Sequence, residues 1–268
     1  MVVTLRSARE IEIMRRSGKI TSKVLTDLMK SVRPGMTTAA LDAMAEKGIR
    51  ELGGVPTFKG YHGFPGSICT SINDEVVHGI PGSVVLREGD LLSIDIGTTL
   101  EGYVSDSAAT VAIGNVSPPA HRLLTVTQEC LMIGIAQMQR GNHVGDIGAA
   151  VQEHAERHGY GVVRELVGHG VGQAMHEEPQ VPNYGKRGSG VELRPGLVLA
   201  VEPMITEGSP AVKILKDGWT VVTADGKLAA HFEHTIAVTD DGPKILTLRD
   251  YAEHPEVDRY RPAQEAMA

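Results

Sequence analysis

The chain has 268 residues, of which 41% are hydrophobic and 22% are charged, and its formal net charge is −7. This is the composition of a globular protein, and it excludes fibrous and intrinsically disordered chains. No apolar run approaches the ~20 residues that a membrane helix requires, and the negative charge gives no indication of a nucleic-acid partner.

The N-terminal segment and the two cysteines indicate the cellular compartment of the protein. The first twenty residues are rich in Arg and Glu and lack the apolar stretch of a signal peptide. Cys69 and Cys130 form neither a disulfide framework nor a CxxC zinc module, so both are expected to be reduced thiols. The sequence therefore predicts a cytoplasmic protein without membrane association.

Apolar residues recur every three or four positions in four segments, which predicts four amphipathic helices in two pairs. Ser7 and Glu10 have the spacing of a capping box at the start of the first helix. Glycine or proline marks the end of each helix. The predicted helices cover residues 7–34, 41–52, 119–141 and 147–158.

Short β-branched runs lie between and after the helix pairs, separated by Gly, Pro and Asp turn residues. These runs predict strands, and the fold class is therefore α+β. The predicted strands are 91–96, 110–113, 197–201, 220–223 and 235–239. Residues 251–268 are polar and are expected to form a frayed C-terminal tail.

An internal repeat organises the chain, because a helix pair, a His-Gly loop and an acidic strand occur twice in the same order. The loop around His78 resembles the loop around His169, and the strand that carries Asp95 resembles the strand that leads to Glu202. We therefore predict one domain over residues 1–250, with pseudo-symmetric halves at about 7–115 and 116–248.

Four carboxylates, Asp95, Asp106, Glu202 and Glu233, are associated with these apolar strands. A charge removed from water costs several kcal/mol unless it is paired or ligates a metal. Any one of the four would be explained by an exposed edge strand or a buried ion pair. The repeat, however, would bring all four together, where they could not all remain ionised without cations. Two divalent ions balance the charge, as in dimetal hydrolases.

Three histidines beside glycine turns or acidic segments are candidates for metal binding or catalysis: His78, His169 and His176. The Gly-lined, apolar setting of His169 favours an imidazole that either ligates a metal or takes part in catalysis. Other histidines in or near predicted helices are expected to be surface or packing residues, namely His121, His143, His154 and His158.

Other catalytic motifs have little support. The segment 168–172 lacks the spacing of a dinucleotide-binding loop, and the segment after His176 has no second histidine at the position that a helical zinc protease needs. Neither a G-x-S-x-G serine nor a recognisable nucleophilic cysteine is present.

Over residues 7–248 the sequence resembles the type I methionine aminopeptidases. The segments that carry this resemblance are specific in combination: GYHGFP at 60–65, SINDEVVHGIP at 71–81, GHGVG at 168–172, HEEP at 176–179, EPM at 202–204 and KDGWT at 216–220.

The resemblance implies a pita-bread fold, in which a central antiparallel sheet is covered by two helix pairs. It also implies two divalent ions, Co, Mn, Fe or Zn, and a hydroxide between them that attacks the scissile carbonyl. Glu202 would be both a ligand and a proton shuttle, and His78 and His176 would face the substrate. The implied metal ligands are Asp95, Asp106, His169, Glu202 and Glu233, and the implied methionine pocket comprises Tyr61, His62, Phe64, Cys69, Met175 and Trp219.

The implied substrates are the N-termini of nascent polypeptides, encountered at the ribosome, and the protein is expected to be a monomer. Phe58, Phe64 and Met175 stand where many bacterial members carry Cys, Tyr and Phe, so they would alter the shape of the pocket. Two alternatives share the fold. One is a proline-directed aminopeptidase, which usually carries an additional N-terminal domain; the other is an inactive peptide-binding protein, in which ligands would be lost.

Overall fold

The computed structural model describes residues 3–249, so the predicted tail at 251–268 lies outside the described residues. None of the helices in the described range combines the length and the hydropathy needed to cross a bilayer. The helices are α1 (Ala8–Ser31), α2 (Thr38–Glu51), α3 (Pro118–Ala136) and α4 (Val144–Arg157), with a short 3-10 helix at Tyr61–Gly63.

The helix termini follow the local sequence closely at α1 and less closely at α3. The predicted capping box is present, because the Ser7 side chain accepts a hydrogen bond from the Glu10 N–H and the Glu10 carboxylate accepts one from the Ser7 N–H. Helix α3 ends at Ala136 rather than near Gly141. The Asn142 side-chain amide donates to the Gln137 carbonyl, so a turn replaces the last predicted part of the helix.

The strands in the described range are β1 (Val55–Pro56), β2 (Ile68–Ile72), β3 (Glu75–Val77), β4 (Leu91–Leu100), β5 (Tyr103–Ala112), β6 (Gly161–Val162), β7 (Gly168–Gly170), β8 (Glu177–Val181), β9 (Val198–Val201), β10 (Met204–Thr206), β11 (Val212–Ile214), β12 (Val221–Thr223), β13 (Ala229–His231), β14 (His234–Thr239) and β15 (Gly242–Ile245). All their pairings are antiparallel. The expected α+β class is confirmed.

Two sheets dominate the architecture. In the first half β4 pairs with β1, β2 and β5, and in the second half the strand order is β15-β14-β9-β7-β8. Smaller three-stranded sheets are formed by β13-β10-β6 and β11-β12-β3, and the latter joins the two halves.

Strand β5 is longer than the predicted run at 110–113 and already begins at Tyr103. Its first part contains buried polar residues, so this part of the strand lacks the run of apolar residues by which a buried strand is predicted from sequence. The Ser105 hydroxyl lies 2.9 Å from the hydroxyl of Ser17 and 2.8 Å from that of Thr21, both on α1. Polar contacts with a helix thus replace the apolar packing that the strand pattern requires.

Corresponding glycines of the proposed repeat adopt corresponding backbone conformations. Gly35 and Gly141 have φ values of 89° and 87°, and Gly53 and Gly159 both have 83°, a region that favours glycine. The Gly35 N–H donates to the carbonyl of residue 86, and the Gly141 N–H donates to that of residue 193. The two helix pairs are therefore connected to their sheets by equivalent turns.

The main core is aliphatic and lies between the helix pairs and the sheets. It lies where α1 packs against β4 and β5, α2 against β2, α3 against β9 and α4 against β8, so that the sheets are fixed from the helical side. Fully buried members include Leu25, Leu41, Ile94, Ile135, Ile147 and Leu199.

Candidate active site

The two halves meet along β5 and the segment that follows β13. The Thr235 hydroxyl accepts a hydrogen bond from the Asp106 N–H at 2.9 Å and donates to the Asp106 carbonyl at 2.8 Å. The Glu233 N–H donates to the carbonyl of Ala108, and the Ser107 hydroxyl donates to the carbonyl of Glu233. This join places the Asp106 and Glu233 carboxylates beside each other although they are far apart in sequence.

The other members of the acidic cluster come from neighbouring strands. Asp95 lies in β4, paired with Cys69 of β2 and Ala108 of β5. Glu202 directly follows β9, and His169 lies in β7 opposite Ala200 of β9. The fold therefore brings together all four carboxylates and the histidine that the sequence singled out.

His169 points its Nε2 atom at the carboxylates. This atom lies 3.5 Å from Glu202 Oε1 and 3.9 Å from Asp106 Oδ2. Candidate ligand atoms of Asp106, His169 and Glu233 all lie within 4.8 Å of one another. His169 Nδ1 lies 2.8 Å from the carbonyl of Gly170, to which it donates as an N–H, so the lone pair is on Nε2.

The electrostatics of the cluster are unfavourable for carboxylates alone. Burial raises the pKa of Asp95 to about 6 and that of Glu202 to about 8. Burial, followed by the neighbouring carboxylates, also raises the pKa of Asp106 and of Glu233 well above the usual range. The site therefore favours any positive charge that neutralises it.

Divalent metal ions fit this arrangement. Asp95 Oδ1, Asp106 Oδ1 and Glu233 Oε1 are buried and have no hydrogen-bond donor among the described residues. Burial lowers the pKa of His169 to about 4, which keeps the imidazole in the neutral form that binds metals. Four carboxylates and one imidazole are hard and intermediate donors, a set suited to several divalent transition metals.

A cavity of about 150 Å³ adjoins the acidic cluster. It is smaller than the ~300–1,000 Å³ pockets of typical small-molecule ligands, so it suits one side chain. The Phe64 and Trp219 rings meet edge to face with centroids 5.1 Å apart. Five predicted pocket residues line the cavity wall, namely Tyr61, Phe64, Cys69, Met175 and Trp219, and Phe58 lines it as well.

Burial restricts the position of the Phe58 ring and the protonation of the Cys69 thiol, whereas His62 lies outside the cavity. The Phe58 ring packs so closely on Gly97 that a side chain there would meet it at 2.6 Å. Burial raises the pKa of the Cys69 thiol well above its usual range, and the neighbouring acids add to this effect, so the thiol stays protonated. His62 is exposed and does not line the cavity, but its ring packs against Tyr61.

His78 lies on the wall of the cavity immediately after β3, with a left-handed φ of 60°. Its ring faces that of Trp219 edge-on, with centroids 6.4 Å apart. Burial, and then the nearby His231 and His176, lowers the pKa of His78 to about 4. His78 is therefore a neutral imidazole that can donate one hydrogen bond.

His176 lies on the same wall, with its ring centroid 4.3 Å from that of His169. Its Nδ1 atom lies 2.7 Å from the Tyr61 hydroxyl. If the hydroxyl donates to Nδ1, the imidazole proton is on Nε2. Burial, and then the adjacent His62, lowers the pKa of His176.

The loop that carries His176 is held by the next residue, Glu177. Its Oε1 atom accepts hydrogen bonds from the N–H groups of Gln173 and Ala174 at 2.9 and 3.1 Å. Its Oε2 atom accepts one from the buried guanidinium of Arg6. The N-terminal segment thus positions a wall of the cavity, a connection that the sequence motif did not reveal.

The sequence reasoning missed His231. This residue is only 2% exposed, and neither ring nitrogen has a hydrogen-bond partner among the described residues. Its Nε2 atom lies 3.6 Å from Glu202 Oε2. The available signal was its position two residues before Glu233, since alternate residues of an extended segment project to the same side.

The amino-acid sequence is similar to those of known metallopeptidases. A sequence model of metallopeptidase family M24 matches residues 12–240. Methionine aminopeptidase 1 of Bacillus subtilis is 51% identical over 246 residues, which are 92% of this chain and 99% of that protein. Methionine aminopeptidase of Clostridium acetobutylicum is 51% identical over 248 residues, or 92% of this chain and 99% of that protein.

Two solved structures resemble the structure of this chain to different degrees. The methionine aminopeptidase of Thermotoga maritima superposes with a TM-score of 0.91 at 41% identity, covering 93% of this chain and 100% of that chain. The prolidase of Pyrococcus furiosus has a TM-score of 0.75 at 20% identity, covering 92% of this chain and 66% of that chain, which is a likeness of fold alone.

Proposed function

This chain belongs to metallopeptidase family M24, and we propose that it is a methionine aminopeptidase that removes the initiator methionine from nascent proteins when the second residue is small. The resemblance to type I methionine aminopeptidases and the α+β pita-bread fold are both confirmed. The observation that carries the proposal is the contact between an acidic cluster with one histidine and a small cavity with aromatic walls, in a chain half identical to named methionine aminopeptidases over most of its length.

We propose that the metal ligands are Asp95, Asp106, His169, Glu202 and Glu233. The unpaired buried oxygens of Asp95, Asp106 and Glu233 and the inward lone pair of His169 support this assignment. Bound divalent ions supply a Lewis acid and lower the pKa of water, so that a nucleophile is available near neutral pH. Co, Mn, Fe and Zn are all compatible with this donor set.

The proton transfers are assigned to residues of the cavity wall. We propose that Glu202 takes the proton of the attacking water and delivers it to the departing amine, because its carboxylate lies in the acidic cluster at the wall of the cavity. His176 would donate from Nε2 to the carbonyl oxygen as negative charge develops there, because the Tyr61 hydroxyl occupies its Nδ1. His78 would hydrogen-bond to the scissile amide.

We propose that the methionine side chain occupies the cavity between Tyr61, Phe64, Cys69, Met175 and Trp219. A thioether packs favourably against aromatic rings, and these walls offer apolar contacts on several sides. His62, which lies against Tyr61 at the outside, would border the entrance. Phe58, Phe64 and Met175 would set preferences among substrates and inhibitors.

Partners and organisation complete the proposal. The substrates would be the N-termini of nascent polypeptides, encountered at the ribosome in the cytoplasm, and the protein would act as a monomer. Its catalytic domain would span residues 1–250, with halves at about 7–115 and 116–248. The matching conformations of Gly35 and Gly141 support such a division.

Reconstitution of metal-free protein with each ion in turn tests the proposal. Peptides beginning Met-Ala or Met-Gly should be cleaved, whereas Met-Lys, Leu-Gly and Xaa-Pro peptides should not. Cleavage of Xaa-Pro peptides alone would instead identify a proline-directed enzyme. Peptide binding without metal binding or hydrolysis of any of these peptides would instead favour the inactive peptide-binding alternative.

A further inference from the structure

We infer that Glu129, His154 and His158 form a second metal site, distinct from the catalytic cluster and suited to Zn²⁺. Glu129 lies on α3, His154 lies in the last turn of α4, and His158 caps the end of α4. Candidate ligand atoms of the three residues lie within 4.8 Å of one another. Two imidazoles and a carboxylate are one of the donor sets that bind zinc in sites that keep an open position.

The two histidines are preorganised by the helix. They are four residues apart, so both project from the same face of α4, and their ring centroids are 4.4 Å apart. His158 Nδ1 lies 2.9 Å from the carbonyl of His154, to which it donates as an N–H. The lone pair of His158 is therefore on Nε2, held by the kind of backbone hydrogen bond that orients histidine ligands of metals.

Glu129 supplies the third donor from the facing helix. Its Oε2 atom lies 2.8 Å from His154 Nε2. In the absence of an ion this contact is a hydrogen bond, and a zinc ion would replace the bridging proton. Ligand atoms ~2.0–2.2 Å from a single ion lie at most ~4 Å apart, so only small changes of side-chain rotamer are needed.

The surroundings favour a cation and allow it to enter. The last carbonyl groups of α4 give that end of the helix a partial negative charge. The His154 and Glu129 side chains are 15% and 26% exposed, so solvent water would complete the coordination. None of the three residues lines the catalytic cavity. A zinc ion at this position would link α3 to α4 and stabilise the helix pair of the second half.

The test uses calorimetric titration with Zn²⁺ in a background of Asp106→Asn and Glu233→Gln, which removes two of the five proposed ligands of the catalytic cluster. We expect this protein to bind one zinc ion with micromolar affinity. Adding His154→Gln and His158→Gln should abolish that binding, whereas adding His121→Gln, an exposed histidine of α3 outside the cluster, should leave it unchanged.

Wild-type protein provides a test that does not depend on the folding of the background variant. Crystals grown with Zn²⁺ should show an anomalous peak between His154, His158 and Glu129. Zinc should also raise the Tm of wild type more than that of His154→Gln/His158→Gln, with His121→Gln behaving as wild type. Absence of the peak, affinity only in the millimolar range, or equal zinc binding with and without the two histidines would overturn the inference.

Discussion

His231 Nε2 lies 3.6 Å from Glu202 Oε2, inside the acidic cluster and out of reach of other hydrogen-bond partners among the described residues. A small movement of either side chain would form a hydrogen bond. Since Glu202 is the proposed proton shuttle, the orientation of its carboxylate would determine how well it transfers a proton. The geometry therefore points to His231 as a positioning residue for Glu202.

His231→Leu should lower kcat by about 10–100-fold, the equivalent of a ~1.5–3 kcal/mol hydrogen bond to a charged group, and should leave KM nearly unchanged. His231→Gln, which retains an N–H donor, should restore most of the loss. Steady-state kinetics on a Met-Gly peptide and metal analysis of each variant would measure this. A loss of equal size in both variants would argue for a packing role instead.

The acidic cluster should hold two divalent ions. Chelation should abolish activity, and reloading should restore it and raise the Tm, because the ions neutralise buried carboxylates that otherwise repel one another. Elemental analysis, thermal unfolding and anomalous scattering from crystals soaked with Mn or Co would establish the stoichiometry and position. Density for no ion beside Asp106 and Glu233 would contradict the assignment.

His78 and His169 should have different roles although they occupy corresponding positions in the two loops of the repeat. His78→Ala should retain its metals and lose about 10²–10⁴-fold in kcat, the usual contribution of a positioned acid or hydrogen-bond donor, with KM little changed. His169→Ala should lose metal affinity and recover partly at high metal concentration. Metal titrations would separate the two, and the assignment would be reversed by metal loss in His78→Ala alone.

Glu10 should make the stability of the protein sensitive to acid. Hydrogen bonds from the Ser7 hydroxyl and N–H, and then from Tyr103, lower the pKa of Glu10 to about 2 from an ordinary value of 4.5. Because the folded-state pKa is depressed, the stabilisation is complete above about pH 4.5 and is lost as the pH falls towards 2.

Glu10→Gln should therefore reduce the free energy of unfolding by about 1 kcal/mol at neutral pH, the scale of a helix cap. The difference from wild type should shrink as the pH falls from about 4.5 towards 2. Urea unfolding at pH 7 and pH 3 would measure both values. Asp27→Asn, which removes an exposed ion pair with Lys23 on the same helix, should change stability much less. If wild type and Glu10→Gln differed in free energy of unfolding by the same amount at both pH values, ionisation of Glu10 would not be the source of the stabilisation.

The sequence by itself determined the four helices, five of the fifteen strands in the described residues, the α+β class and the convergence of the acidic residues. The capping box of Ser7 and Glu10 and the helical spacing of apolar residues depend on neighbours along the chain, so they can be read without a structure. Asp95 and Glu202 were identifiable because a carboxylate in or next to an apolar strand is costly to bury unless it is paired or ligates a metal. The repeat then predicted that they meet.

Tertiary structure decided what depends on contacts between distant segments. The early start of β5 rests on Ser17 and Thr21 of α1, and the wall that carries His176 rests on Arg6. Neither contact leaves a periodic signal in the sequence. The neighbours of His231 and the cluster of Glu129 with two histidines likewise arise only when strands or helices dock. The docking of strands and helices determines how deeply each histidine is buried and which side chains surround it. These two properties decide whether the histidine is a surface residue or part of a site.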